Sequence, residues 1–261
     1  MNTYGALLAE SGLPAWLHDV SQGAFRFQPD IGYDAPAAWY TCPPALIPLA
    51  SDGSMPDYLG IWTRWFSKDP YLHVVITGPE DRFLLREIAL TAEQFATWIL
   101  VKAMIMVEDF NEDLKAFSRA SGLEDVPAIL KHIDTYGDNP ESLPLLPVFR
   151  SPQPHYLGDP DWNSFGITLP PDSAPTGIAG FERQHRPDNL PPPVGGFRKA
   201  LTDGDLAGAW ALLNSPGWRL PDARDAAMAL AKAAGDPDFT KQMTAWCSFS
   251  EDAFIPESDS Y

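Results

Sequence analysis

The sequence predicts an α+β protein. An antiparallel β-meander packed with helices is followed by a proline-rich arm and a small C-terminal helical unit. Three observations lead there. Short runs of β-forming residues alternate with turn residues between Leu46 and Ala89. A long, almost wholly apolar segment then opens behind a capping residue. Finally, many of the 27 prolines recur between Asn139 and Gly196. Strands in one block and helices in others are the pattern of an α+β chain.

The elements follow in order. "YGALLAESGLPAWL" carries apolar residues at helical spacing and a stop signal at Gly12–Pro14. "GAFRFQPD" reads as a short strand. Pro43 and Pro44 forbid a central strand in "YDAPAAWYTCPPALIPLA", and "LIPLA" is a short apolar run. Ser51-Asp52-Gly53-Ser54 is turn chemistry. "YLGIWTRWF", residues 58–66, reads as a strand with Leu59, Ile61, Thr63 and Trp65 on one face and Tyr58, Trp62, Arg64 and Phe66 on the other. Both faces carry apolar bulk, which predicts a central strand covered on both sides. "YLHVVIT", residues 71–77, is the next strand, antiparallel to the first, and "FLLREIA" the third. Thr91 is a fitting N-cap, with Glu93 and Gln94 in the first turn of a helix of about five turns, as expected for one packed on a sheet. "NEDLKAFSRASG" starts on an asparagine cap and ends on Gly122, and "EDVPAILKHIDTYG" gives a third helix.

These segments place an α+β domain over residues 1–138. Residues 139–196 form an extended arm without regular structure, lying over a domain surface; its aromatics Phe149, Tyr156, Trp162, Phe165 and Phe181 argue against a purely disordered linker. Residues 197–261 form the helical unit. Thr202 or Asp203 caps its second piece. "LPDARDAAMALAKAAG" has proline near its start and glycine at its end, and "DPDFTKQMTAWCSF" is the final helix.

Charge narrows the functional classes. The net charge is −17, from 35 acidic and 18 basic residues. An average chain of this length carries roughly 33 charges of each sign. The chain is therefore acidic because it lacks base. That disfavours nucleic acid and anionic membranes, which need clustered Lys and Arg, and favours a basic partner protein. No apolar run is long enough for a membrane helix, and "MNTYGALLAESGLPAWLHDV" does not read as a signal peptide. The expected location is the cytoplasm, with Cys42 and Cys247 reduced.

No motif points to a cofactor or metal, and neither is expected. Asp52 and Asp57 flank "GSMP" without EF-hand spacing, since residue 63 is Thr. Ser54 follows Gly53 but lacks the second glycine of a nucleophile elbow. His18, His73, His132, His155 and His185 fall at no metalloprotease spacing. Glu80, Asp81, Arg82, Arg86 and Glu87 read as surface ion pairs, and neither phosphate-binding glycine motif occurs. The residues speak against an enzyme. The competing reading is a hydrolase with its site between the N-terminal sheet and the C-terminal helices.

"PPALIPLASDGSMPDYLGIW", followed by "HVVIT" and a long helix, resembles the SMI1/KNR4, or SUKH, superfamily over Leu7 to Leu123. The shared pattern is an apolar-Ile-Pro-apolar strand end, an Asp-Gly turn and an aromatic strand; the arm and the helical tail lie outside it. The resemblance implies a non-catalytic bacterial immunity protein that captures a basic toxin. Trp39, Tyr40, Asp52, Asp57, Trp62 and Trp65, around the first hairpin, are the candidates for the capturing surface, with aromatics as anchors and charge setting the encounter rate.

Overall fold

The computed structural model describes residues 4–28, 31–32, 42–51, 58–68, 70–77, 86–107, 109–137, 139–154, 193–215, 218 and 220–252. It is α+β, with a four-stranded antiparallel sheet in meander order. The strands are β3 (Leu46–Ser51), β4 (Tyr58–Trp62), β5 (His73–Thr77) and β6 (Arg86–Ala89). A two-stranded ladder, β1 (Arg26–Gln28) with β2 (Ile31–Gly32), stands apart.

The meander forms for the reasons the sequence suggests, with β4 and β5 interior. Pro48, which has no N–H to donate, sits in the edge strand β3 next to a bulge between Pro48 and Ala50. A side chain at Gly60 would bring its Cβ within 2.6 Å of the Leu46 side chain and 2.8 Å of the Ile47 carbonyl. Glycine is what lets β4 approach β3 this closely. Leu59, Ile61 and Trp62 are all buried, so β4 is covered on both faces. The strand is shorter than predicted. It ends at Trp62: Thr63 adds a last cross-strand contact, its N–H and hydroxyl both donating to the Ala45 carbonyl at 2.7 and 2.8 Å, and the chain turns at Trp65–Phe66.

Helices α1 (Gly5–Glu10) and α2 (Ala15–Ser21) precede the sheet, and α2 packs beside β3. Helix α3 (Ala92–Val107) runs beside β6 and carries α4 (Glu112–Ser121) and α5 (Val126–Tyr136). The Thr91 hydroxyl accepts from the Gln94 N–H at 3.1 Å, as its capping role requires. Asn111 caps α4, and Gly122 ends it with φ +72°. Trp16 of α2 contacts Phe95 of α3 and Phe117 of α4 at ring separations of 5.8 and 5.7 Å, welding these helices into one core.

The first part of the expected arm is more regular than predicted. Two 3-10 turns, Pro140–Leu145 and Pro147–Phe149, occupy it, and α6 (Pro193–Thr202) opens within its last residues. Proline opens each element, where its missing N–H would have no helical partner anyway. Phe149 is fully buried. The fully buried Gln94 holds these turns to α3. Its amide N–H groups donate to the carbonyls of Val148 at 2.8 Å and Pro152 at 2.6 Å, while its carbonyl accepts from the Leu90 N–H at 2.7 Å. Residues 155–192 lie outside the described residues.

Helices α7 (Leu206–Leu213), α8 (Leu220–Ala234) and α9 (Pro237–Asp252) complete the chain. The cap of α7 is Asp205, whose carboxylate accepts from the Gly208 N–H at 2.9 Å. Thr202 and Asp203, predicted for that role, instead end the preceding helix, where Gly204 takes φ +76° and the Asp205 N–H closes back on the Ala200 carbonyl.

These helices pack on the sheet edge, and the polar contacts explain why. Residues 42–45, "CPPA", are buried, and two prolines leave them unable to form a ladder. The Pro43 carbonyl accepts locally from the Leu46 N–H and the Ala45 carbonyl from Thr63, while three further backbone groups find partners at the end of α7 and on α9. The Cys42 carbonyl accepts from the Trp246 indole at 2.7 Å. The Pro44 carbonyl accepts from Gln242 at 2.8 Å, and the Ala45 N–H donates to Asn214 at 2.8 Å. Gln242, 1% exposed, also donates to the Thr63 hydroxyl at 2.8 Å and accepts from the Trp65 indole at 2.7 Å. Replacing Gln242 by leucine keeps the volume and strands these groups, the Pro44 carbonyl above all. We expect Gln242→Leu to lower stability by about 2–3 kcal/mol, read as a shift in the urea unfolding midpoint.

Candidate functional site

The segment after β4 is the most unusual surface feature. Phe66 has φ +67°, the sole positive-φ non-glycine among the described residues. A bulky side chain in the left-handed region is strained by about 1–3 kcal/mol. The turn is closed by the Ser67 N–H donating to the Arg64 carbonyl at 3.1 Å. It projects two rings onto Phe239 of α9, which is fully buried: Trp65 at 5.1 Å and Phe66 at 5.3 Å, both edge-on. Trp210 of α7 meets the same ring at 5.2 Å. Phe66 remains 37% exposed. The result is an aromatic knuckle, seated from below by two C-terminal helices and open above.

Beside it lies a cavity of about 140 Å³, lined by Trp62, Arg64, Trp65 and Phe66 from the knuckle and by Trp210 and Asn214 from α7. It occupies the place where the competing reading put a hydrolase site. Drug-sized ligand pockets run to about 300 Å³ and above, and no histidine or carboxylate is among the residues lining this one. The Asn214 side chain is already engaged by the Ala45 N–H and the Trp210 carbonyl.

The predicted surface residues separate. Trp62 and Trp65 both line this cavity, but Trp62 is 4% exposed and belongs to the core, whereas Trp65 is half-buried with its indole on Gln242. Trp39, Tyr40, Asp52 and Asp57 lie outside the described residues, as do Ser54, Glu80, Asp81, Arg82, His155 and His185. Phe66, Phe239 and Trp210 complete the site and were not singled out from the sequence. Phe66 looked like one more strand residue, and its partners stand over 140 positions away, where no local pattern connects them.

Three groups could suggest chemistry. His73 on β5 and Glu87 on β6 form a pair at 2.5 Å, 2% and 0% exposed. Glu87, expected as a surface charge, is thus fully buried; it lies across the ladder from Val75, and its carboxylate reaches diagonally to His73, which gives the buried charge a partner. Neither residue lines the cavity beside the knuckle. His132 Nε2 lies 2.9 Å from the Ser142 hydroxyl, but that hydroxyl donates to the Asn139 carbonyl at 2.7 Å. The serine therefore accepts from the histidine, the reverse of the polarity that activates a nucleophile. Cys42 is buried, which pushes its thiol pKa well up and withholds the reactive thiolate. Among the described residues no group of three or more His, Cys, Asp or Glu is placed to hold a metal ion, and no helix is long and apolar enough to cross a membrane.

Fold and surface together define an α+β protein with a strained aromatic knuckle just past the end of the interior strand β4. Comparison of the chain with known protein families, curated proteins and solved structures finds no match.

Burial under the Tyr136 ring, 4.9 Å away, lowers the His132 pKa from the ordinary histidine value. The unfolded chain therefore takes up this proton at a higher pH than the folded one. His132 contributes fully above about pH 6.5, and its contribution falls as pH drops from there toward the lowered folded value. The stability advantage of the parent over His132→Gln should thus shrink between pH 7.5 and pH 5.5 in paired urea titrations; a constant or growing gap would contradict it.

Proposed function

We propose that the chain is a non-catalytic protein-binding protein that captures a basic partner, acting as an immunity factor of the kind the SMI1/KNR4-like segment implies. The observation that carries this reading is the knuckle at Trp65–Phe66. An aromatic side chain is held in a strained backbone conformation, braced on Phe239 and left partly open to solvent. Exposed aromatics on a rigid seat are what binding hot spots are made of. The charge of −17 supports a basic partner by drawing it in over long range. A nucleic-acid-attacking toxin, itself basic, fits both features.

The test uses the full chain. Tagged protein is recovered from its native cells at low salt, and any basic protein retained is expressed alone and together with this chain. The expected result is growth arrest by the partner alone, relief on co-expression, and an association that weakens as salt rises. Phe66→Ala keeps the strained turn but removes the ring, and should weaken capture at least tenfold. Turnover of an ester, sugar or phosphate by the purified chain, with no protein partner retained, would overturn the proposal in favour of a hydrolase.

A further inference from the structure

A second surface carries different chemistry. Between the start of α3, the loop from α4 to α5 and the 3-10 turns lies a groove of about 310 Å³. Its floor is Thr97, Ile129 and Leu146, all buried. Ala128 forms a wall. Three exposed carboxylates, Glu93, Glu124 and Asp125, stand on its rim. Asp125 caps α5 through the Ala128 N–H at 3.2 Å. Among the described residues none of the three has an ion-pair partner.

The groove is braced rather than soft. Gln94, next to Glu93, fastens the 3-10 wall to α3 by its bonds to the Val148 and Pro152 carbonyls. The floor is thus held open with apolar side chains at its base and unmatched negative charge at its mouth. The comparison with the other large cavity is instructive. That cavity, about 320 Å³ between α6 and α8, carries Asp222 and Asp225 but also Arg198, so its lining supplies its own cation. The α3–α5 groove supplies none.

We infer that this groove docks a basic amphipathic segment of a partner protein, an apolar side chain entering the floor while flanking Lys or Arg side chains meet Glu93, Glu124 and Asp125. Apolar burial gives the hold and the charges give orientation and selectivity. The inference rests on the protein-binding reading above and assigns that partner a second contact, away from the knuckle.

The probe is a fluorescent twelve-residue peptide of Lys and Leu at helical spacing, titrated into the full chain and followed by anisotropy. Glu93→Gln with Glu124→Gln, leaving the Asp125 cap intact, should weaken binding at least tenfold. Ala128→Phe, which fills the groove without changing net charge, should do the same. Asp222→Asn with Asp225→Asn removes equal charge at the other cavity and should change affinity less than twofold. Thermal melts confirm that each variant is folded. Equal losses from the two charge pairs, or no loss with Ala128→Phe, would mean that only the overall charge attracts the peptide, and would overturn the groove. If a captured partner depends on Phe66 but not on Glu93 and Glu124, the groove fails while the binding function stands. If no partner is captured, the peptide titration still decides the groove.

Discussion

The structure depends on the need to satisfy one buried, proline-broken stretch of backbone. Residues 42–45 enter the core immediately before the edge strand, and a buried peptide group without a partner is costly. Gln242, Asn214 and Trp246 answer that need from 169 to 204 positions away. The sheet edge and the C-terminal helices are therefore thermodynamically linked: neither keeps its hydrogen bonds if the other leaves. Gln242 extends the linkage to the knuckle, because the same amide that holds the Pro44 carbonyl also receives the Trp65 indole. A side chain invisible from the surface thus fixes how the site is presented.

Much of the architecture was legible in the sequence because its signals are local. Turn residues between β-forming runs gave the meander, and Thr91, Asn111 and Gly122 marked helix ends by chemistry that acts within four residues. The misreadings are equally physical. Several capping residues crowd the turn before α7, so local chemistry points equally to Thr202 or Asp203, and only the left-handed Gly204 separates them from Asp205 as the cap. Nothing in "TRWF" announces a positive φ, so the β-forming run reads through to Phe66; tertiary contact with Phe239 of α9 accompanies the turn there. Gln94, Asn214 and Gln242 sit in helices where an amide reads as solvent-facing. Their burial follows from distant carbonyls that no window of sequence contains.

The two candidate surfaces divide the work of recognition along lines the composition already suggests. A chain short of Lys and Arg leaves carboxylates without local counter-charges, and the α3–α5 groove is where three of them converge over an apolar floor. Such a surface accelerates and orients encounter, but its exposed charges are screened by salt. The knuckle is the complement: its contact is aromatic, with Arg64 as the one charged side chain lining its cavity and no carboxylate there. On the proposed reading, the first would give selectivity toward a basic partner and the second retention once contact is made. A partner engaging both would gain by avidity, since the second contact forms at high effective concentration.

Magnitudes decide whether the knuckle is better understood as packing or as a site. Holding Phe66 in the left-handed region costs about 1–3 kcal/mol. Burying roughly two-thirds of its ring against Phe239 returns about 1–2 kcal/mol, with an edge-on aromatic pair adding about 1 kcal/mol. The sum is near zero, so Phe66 does little for the fold that glycine would not do with less strain. A residue that is nearly neutral to stability, seated on Phe239 and still open on one face is what the proposed binding role calls for. The favourable energy it can still gain lies in covering the exposed remainder of its ring, which is the contribution the proposed function assigns to a partner.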